Sequence, residues 1–298
     1  MKKIIVALAI LAMFIAGYIG FDVYKKYKVE SEIKEQQEAK LKRKEQIDRL
    51  LKEAKLKADQ AVTKRALEFK AFIDSKKPGA KPFSEDVVSL SGIWIAGKCK
   101  MPGTAPNCYK EYISDKFNKH IFTPDDFRDA TTRSIKGGVQ DIDGIENQLA
   151  VSLREVIEGR TLTASEQPLE VASFKSAIES ARRAASDGVA KEVGGLVAAE
   201  AITQIGTQVL IRLGVPLVIL TTASSTSWWT LGVSVLIGLI FNSIWNYFTH
   251  PAQTVEKAIV VELDKMAESG SAVIQEELTK KVAARSQLWQ TIVSEKLQ

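Results

Sequence analysis

Histidine occurs only twice, at His120 and His250, and cysteine only twice, at Cys99 and Cys108. That scarcity removes most catalytic and metal-binding chemistry. Two cysteines with no CxxC pair and no adjacent histidine do not make a zinc site. No P-loop, GxGxxG, GxSxG or HExxH segment is present. His120 stands shortly before Asp125 and Asp126, where a local hydrogen bond is a better reading than a general base. Asp141, Asp143 and Glu146 cluster without the ligand spacing of a calcium loop and read as helix-start charges. No enzyme, cofactor or metal site is expected.

Charge of one sign is also in short supply. The formal net charge is +5, and the excess lies after residue 22, mixed with glutamate. Without an arginine-rich or aromatic-interleaved groove, nucleic acid is not an expected partner.

Glycine and proline are absent from Tyr24 to Phe72, which excludes turns and predicts one long helix ended by Lys77-Pro78-Gly79. Ile47, Leu51, Ala54, Ala58, Val62, Ala66, Phe69 and Ile73 recur every three or four residues, while the part before Ile47 is mostly Lys, Glu and Gln. This basic arm reads either as a coiled-coil-like stalk that holds a head away or dimerises the chain, or as a helix folded back on its own head.

Charge is missing altogether from two runs. Ile4 to Phe21 is uncharged, preceded by Lys2 and Lys3 and followed by Asp22, Lys25, Lys26 and Lys28. Phe14-Ile15-Ala16 lacks the small-x-small pattern of a cleavage site, so an uncleaved membrane anchor is expected rather than a cleaved signal. Trp228 to Phe248 is the second run, bracketed by Trp228 and Trp229 at one end and Trp245, Tyr247 and Phe248 at the other. A helix from Trp228 to Tyr247 would rise about 29 Å, close to the hydrocarbon thickness of a bilayer, with aromatic rings at both boundaries.

The apolar passage starts earlier, at Gly194, and carries only Glu200 and Arg212 as charges. A helical hairpin over 194–248 is predicted, turning at Ala223-Ser-Ser-Thr-Ser227. Glu200, Gln204, Gln208 and Arg212 recur every four residues on its first helix, and Asn242 and Asn246 belong to a similar polar stripe on its second. Folded about Ser225, Gln208 would face Asn242 and Gln204 would face Asn246. Arg212 has no carboxylate within the hairpin. It is expected to snorkel to an interface, to meet an acidic group from elsewhere, or to mark a helix that only half-enters the bilayer before Pro216.

Between arm and hairpin the pattern is less regular. Val87 to Ile95 reads as a short strand or buried extended piece, leading into a Pro/Gly-rich loop with Cys99 and Cys108 at its ends. These two are disulfide candidates in an oxidising compartment. Thr123-Pro124-Asp125-Asp126 starts a helix that Gly137-Gly138 is expected to stop; a second helix follows from about Asp143 to Ile157, ended by Gly159. Thr163 begins a third, and after the hairpin two helices are expected on either side of Gly270.

The fold expected is mainly α: a membrane-anchored helical protein with an anchor (1–22), a basic arm (23–77), a small irregular or short-strand head insert (78–135), a helical region (136–193), an apolar hairpin (194–248) and C-terminal helices (249–298). The function expected is that of an integral membrane scaffold or assembly protein working through helix–helix contacts. The alternative is a pore-forming or channel-type protein using the hairpin. Expected partners are the lipid bilayer, further copies of the chain or other envelope proteins. The expected location is a bacterial inner (plasma) membrane, with arm and head on the extracytoplasmic side.

Overall fold

The structure is a computed structural model that describes residues 2–99, 101–103, 105, 108–184, 198–216 and 252–297. It is mainly helical, with no strand among the described residues. The helices are α1 (Lys2–Asp74), α2 (Ala80–Val87), α3 (Leu90–Cys99), α4 (Cys108–His120), α5 (Pro124–Glu158), α6 (Gln167–Ala184), α7 (Ala198–Arg212) and α8 (Ala252–Leu297).

Three of these make the core. The second half of α1 packs against α5 and α8, and the seam read from the sequence is the buried face: Ile47, Ala58, Val62, Ala66, Phe69 and Ile73 are all buried. Of the two readings of the arm, the structure takes the folded-back one for residues 47–74. The partners reveal the directions. Arg65 reaches Asp141 and Phe69 meets Phe127, so α1 and α5 are antiparallel. Glu146 meets Arg285 and Gly138 lies under Leu278, so α5 and α8 are parallel. Residues 25–46, one turn after another, have no such partner and are exposed throughout.

Helix α5 runs unbroken for 35 residues through Gly137 and Gly138, so the expected stop there does not occur. The glycines serve interhelical contact instead. A Cβ on Gly137 would lie 2.8 Å from Arg65 Cζ, and one on Gly138 would lie 2.6 Å from Leu278 Cδ1. Removing a side chain there lets α1 and α8 approach, at a cost to helix propensity of about 1 kcal/mol per glycine. Gly270 behaves in the same way inside the 46-residue α8, where its missing side chain makes room for the ring of Phe69. The start and end of α5 follow local chemistry. Thr123 Oγ1 accepts from Asp126 N at 3.1 Å, the Asp126 carboxylate accepts from Thr123 N at 2.9 Å, and Gly159 ends the helix at φ 67°.

Val87 to Ile95 is not extended, contrary to the strand expectation. Ser89 interrupts the chain between α2 and α3: its hydroxyl donates to Asp86 O at 2.7 Å and accepts from Gly92 N at 3.1 Å, starting a new helix. The β-branched residues are used for burial, Val87 in the core and Val88 and Ile95 against it. Tertiary burial overrides β-propensity here. Helices α2, α3 and α4 form a cap over the end of the bundle where α1 finishes. Beneath it lies an aromatic stack in which Phe122 sits 5.1 Å from Phe117 and 5.8 Å from Phe127. Each such ring contributes about 1.5–3 kcal/mol by burial.

Helix α7 is the described part of the expected hairpin. It packs Ala201, Ile205, Val209 and Leu210 onto the bundle, antiparallel to α8, and stops at Gly214 with φ 88°. The closing bonds are Val215 N to Leu210 O at 3.0 Å and Gly214 N to Ile211 O at 2.9 Å, with Pro216 following. At about 1.5 Å per residue it is some 22 Å long, short of a hydrocarbon core. Among the described residues no helix is long and apolar enough to cross a membrane. The run Ile4–Phe21 is helical as part of α1, but its side chains lie outside the description, and Trp228–Phe248 lies outside the described residues entirely.

Candidate functional site

The most chemically distinct interior of the bundle lies where α1, α5 and α8 meet. Arg285 of α8 reaches across to α5, with Nε 2.9 Å from Glu146 Oε1 and Nη2 3.0 Å from Asp143 Oδ1; Nη2 also contacts Glu146 Oε2. Glu146 and Arg285 are both nearly covered, with side chains 8% and 11% exposed. Burial works against the arginine's charge, but its hydrogen bond to Glu146 and the two carboxylate charges outweigh it and hold its pKa above the ordinary value. Asp141, one turn away, takes a two-pronged contact from Arg65 at 2.8 and 3.1 Å. The three acids read as helix-start charges are therefore mid-helix groups, each joined to a cation from another helix.

Beside this pair is a cavity of about 180 Å³. Ala54 and Ala58 leave it room on the α1 side, Ile145 and Leu149 form one wall, and Trp289 of α8 forms another. Asp48, Lys52 and Lys55 stand along its α1 edge. The walls suit a small apolar group. Of the charges beside it, Glu146 is paired with Arg285 and Lys55 with Asp59. Among the described residues no group of three His, Cys, Asp or Glu side chains is placed to hold a metal ion.

A second polar cluster ties α2 to α4. Asp86 accepts from Lys116 and His120, each at 2.8 Å, with Lys119 at 3.6 Å. Lys116 and then His120 hold the Asp86 carboxyl well below the usual carboxylate range. His120 thus pairs with an acid in α2 rather than with the Asp125–Asp126 cap beside it in sequence. His250 lies outside the described residues.

The structure joins Cys99 and Cys108 as a disulfide, with Cα atoms 5.6 Å apart, closing the loop between α3 and α4. The polar stripe of α7 is only partly brought together. Gln204 Oε1 accepts from Lys281 Nζ at 3.1 Å, and Arg212 pairs with Glu276 at 3.2 Å. Gln208 is exposed, and Glu200 sits in the first turn of α7 with its side chain outside the description. Asn242 and Asn246, the partners expected for Gln208 and Gln204, lie outside the described residues.

Arg212 therefore meets an acidic group from a distant part of the chain, one of the three options its isolation allowed. Sequence reasoning did not single out Glu276, Lys281 or Arg285. The available signal was the alternation of charges along α8, in which Glu277, Lys281 and Arg285 recur every four residues. No protein-family model, curated protein or solved structure matches this chain.

Proposed function

We propose that this protein is a membrane-anchored helical scaffold, a bundle carried on its own first helix and working through helix–helix contacts. The observation that carries this reading is the division of α1. An uncharged run, Ile4–Phe21, is followed by a wholly exposed charged stretch, residues 25–46, and then by the buried seam from Ile47 onward. At about 1.5 Å per residue the exposed stretch spans about 33 Å. A continuous helix of that kind transmits position: the apolar run as anchor fixes where the bundle stands. Arm and bundle belong on the extracytoplasmic side of a bacterial plasma membrane, a placement supported by the Cys99–Cys108 bridge. The partners are the bilayer and further envelope proteins or copies of the chain.

A pore built on the 194–248 segment draws less support. Gln204, one of the residues that would line such a path with Gln208, Asn242 and Asn246, is engaged with Lys281 of α8.

The test is alkaline extraction of membranes from cells making the full chain, a chain lacking Ile4–Phe21, and a chain in which Trp228–Phe248 is replaced by a polar linker. The intact chain should resist extraction, and loss of Ile4–Phe21 should release it or leave it held by the second run alone. Extraction of the intact chain by alkali would overturn the reading. Conductance by the intact chain in planar bilayers would replace scaffold with pore.

A further inference from the structure

The outer face of α3 is apolar and uncovered. Leu90 is 88% exposed, Ile93 53%, Trp94 69% and Met101, just beyond the helix, 56%. Steps of three, four and seven from Leu90 set Ile93, Trp94 and Gly97 on one stripe. The opposite face carries the small buried residues Gly92 and Ala96, with Ile95 against the core. Helix α3 is therefore held tightly by its small side and presents its large side outward. The disulfide from its last residue, Cys99, to the first of α4 fixes the ridge further. Nowhere else among the described residues do exposed large apolar side chains stand together on one stripe beside the bundle. Burying this much apolar surface in water's absence would be favourable, so a partner for it is expected.

Two observations say what that partner is. The surroundings of the ridge are basic: Lys98 and Lys110, at either side of the loop, are both exposed, and Glu111 is the only carboxylate between residues 87 and 114. Aliphatic residues and a tryptophan inside a lysine rim match the boundary between headgroups and acyl chains of an anionic bilayer. The ridge also stands at the end of the bundle where α8 begins. Helix α2, against which α3 packs, is itself packed on the beginning of α8, and α8 begins at Ala252, four residues after the uncharged run Trp228–Phe248 ends. We propose that the α3 ridge, Leu90, Ile93, Trp94 and Met101, docks on an anionic lipid surface.

This inference rests on the membrane-anchored reading and adds a direction to it. The cap lies beyond the last turn of α1, about 78 Å along that helix from Asp22 at about 1.5 Å per residue. A ridge so far from the anchor meets a second bilayer surface while Ile4–Phe21 remains in the first. The protein then holds two lipid surfaces at a distance set by α1.

The experiment reconstitutes the full chain into phosphatidylcholine donor vesicles. Labelled acceptor vesicles, of phosphatidylcholine alone or mixed with phosphatidylglycerol, are then added, and their co-flotation with the donors is measured. The double variant L90S/W94S changes only exposed side chains; retention of helix content and of the disulfide checks its fold. The expected result is capture of the anionic acceptors by the wild type, weakened by salt, and a loss of about ten-fold or more in the variant, since two large apolar side chains no longer insert. Equal capture by wild type and variant, or no capture of anionic vesicles by wild type, would overturn the proposal. So would ridge-dependent cross-linked dimers without acceptor capture, which would assign the ridge to a second copy. Failure of the chain to remain in the donor vesicles after alkaline washing would instead defeat the anchoring reading. In that case binding of the unanchored chain to anionic vesicles still tests the ridge by itself.

Discussion

Residues 25–46 and 47–74 belong to one helix, yet their fates are opposite. Every residue of the first stretch is exposed, including Tyr27, Val29, Ile33 and Leu41. In the second, Val62, Phe69 and Ile73 are wholly buried. The difference is one of content and of spacing: five of the 22 residues in the first stretch are apolar, against 14 of the 28 in the second. Tyr27, Val29, Ile33 and Leu41 are the only large apolar side chains in that stretch of about six turns, so no face is apolar enough to repay desolvation of the lysines beside them. From Ile47 the steps of three and four collect the apolar groups on one face, and α5 and α8 can close over it. A helix is buried by a continuous stripe, which takes enough apolar residues and a spacing that puts them on one face.

The largest effect should come from breaking the stripe. Val62→Asp places a carboxylate where no solvent reaches and should cost about 4–5 kcal/mol or more, enough to unfold a marginal bundle. Ile33→Asp in the exposed stretch should stay within about 0.5 kcal/mol. Urea denaturation of the two variants reads the contrast directly; comparable losses would mean that the exposed stretch has a partner of its own.

Next comes the hold of α8 on α5 beside the packed part of α1. Arg285→Met leaves Glu146 buried without its cation and should cost about 3–5 kcal/mol, whereas Arg285→Met with Glu146→Leu should recover most of it. Hydrogen exchange should show residues 47–58 of the single variant losing protection towards that of residues 25–46, with the double variant restoring it.

Gly138→Ala tests the close approach that lets α8 cover α1 and α5. The added methyl meets Leu278 Cδ1 at 2.6 Å, so the variant should lose about 1–3 kcal/mol despite its better helix propensity. A more stable variant would show that Leu278 moves aside freely.

The smallest effect is expected at Asp86, which touches neither half of α1. Its carboxyl pKa is lowered in the folded state, first by Lys116 and then by His120. The contribution is therefore present above the unfolded carboxylate value of about 4 and is lost as pH falls below it. Asp86→Asn should remove that part of the acid limb, changing stability at neutral pH by about 1 kcal/mol, since the side chain is 35% exposed. Stability measured from pH 7 down to pH 3 in both chains checks the sign; a variant with an unaltered acid limb would remove Asp86 from the account.

The seam of α1, the cap at Thr123, the end at Gly159 and the cysteine pairing were each legible, for a shared reason. Each depends on residues near one another in sequence, or on a periodicity that only one backbone geometry satisfies. The glycines at 137, 138 and 270 were not legible. A glycine that ends a helix and one that admits a neighbouring helix are identical in sequence, and only the positions of Arg65, Leu278 and Phe69 separate them. The strand expected at Val87–Ile95 failed similarly, because β-branched residues record a demand for burial that a helix against a core also meets.

By itself, then, the sequence determined that this chain is helical and that its first helix carries a seam from Ile47 onward. Only the tertiary structure decided that the seam closes within the chain, and that Arg212, Gln204 and the three acids of α5 find their partners on α1 and α8. Those pairings join residues as far apart as Asp143 and Arg285. Charge and periodicity state what a side chain needs, while the packing of distant helices decides which group supplies it.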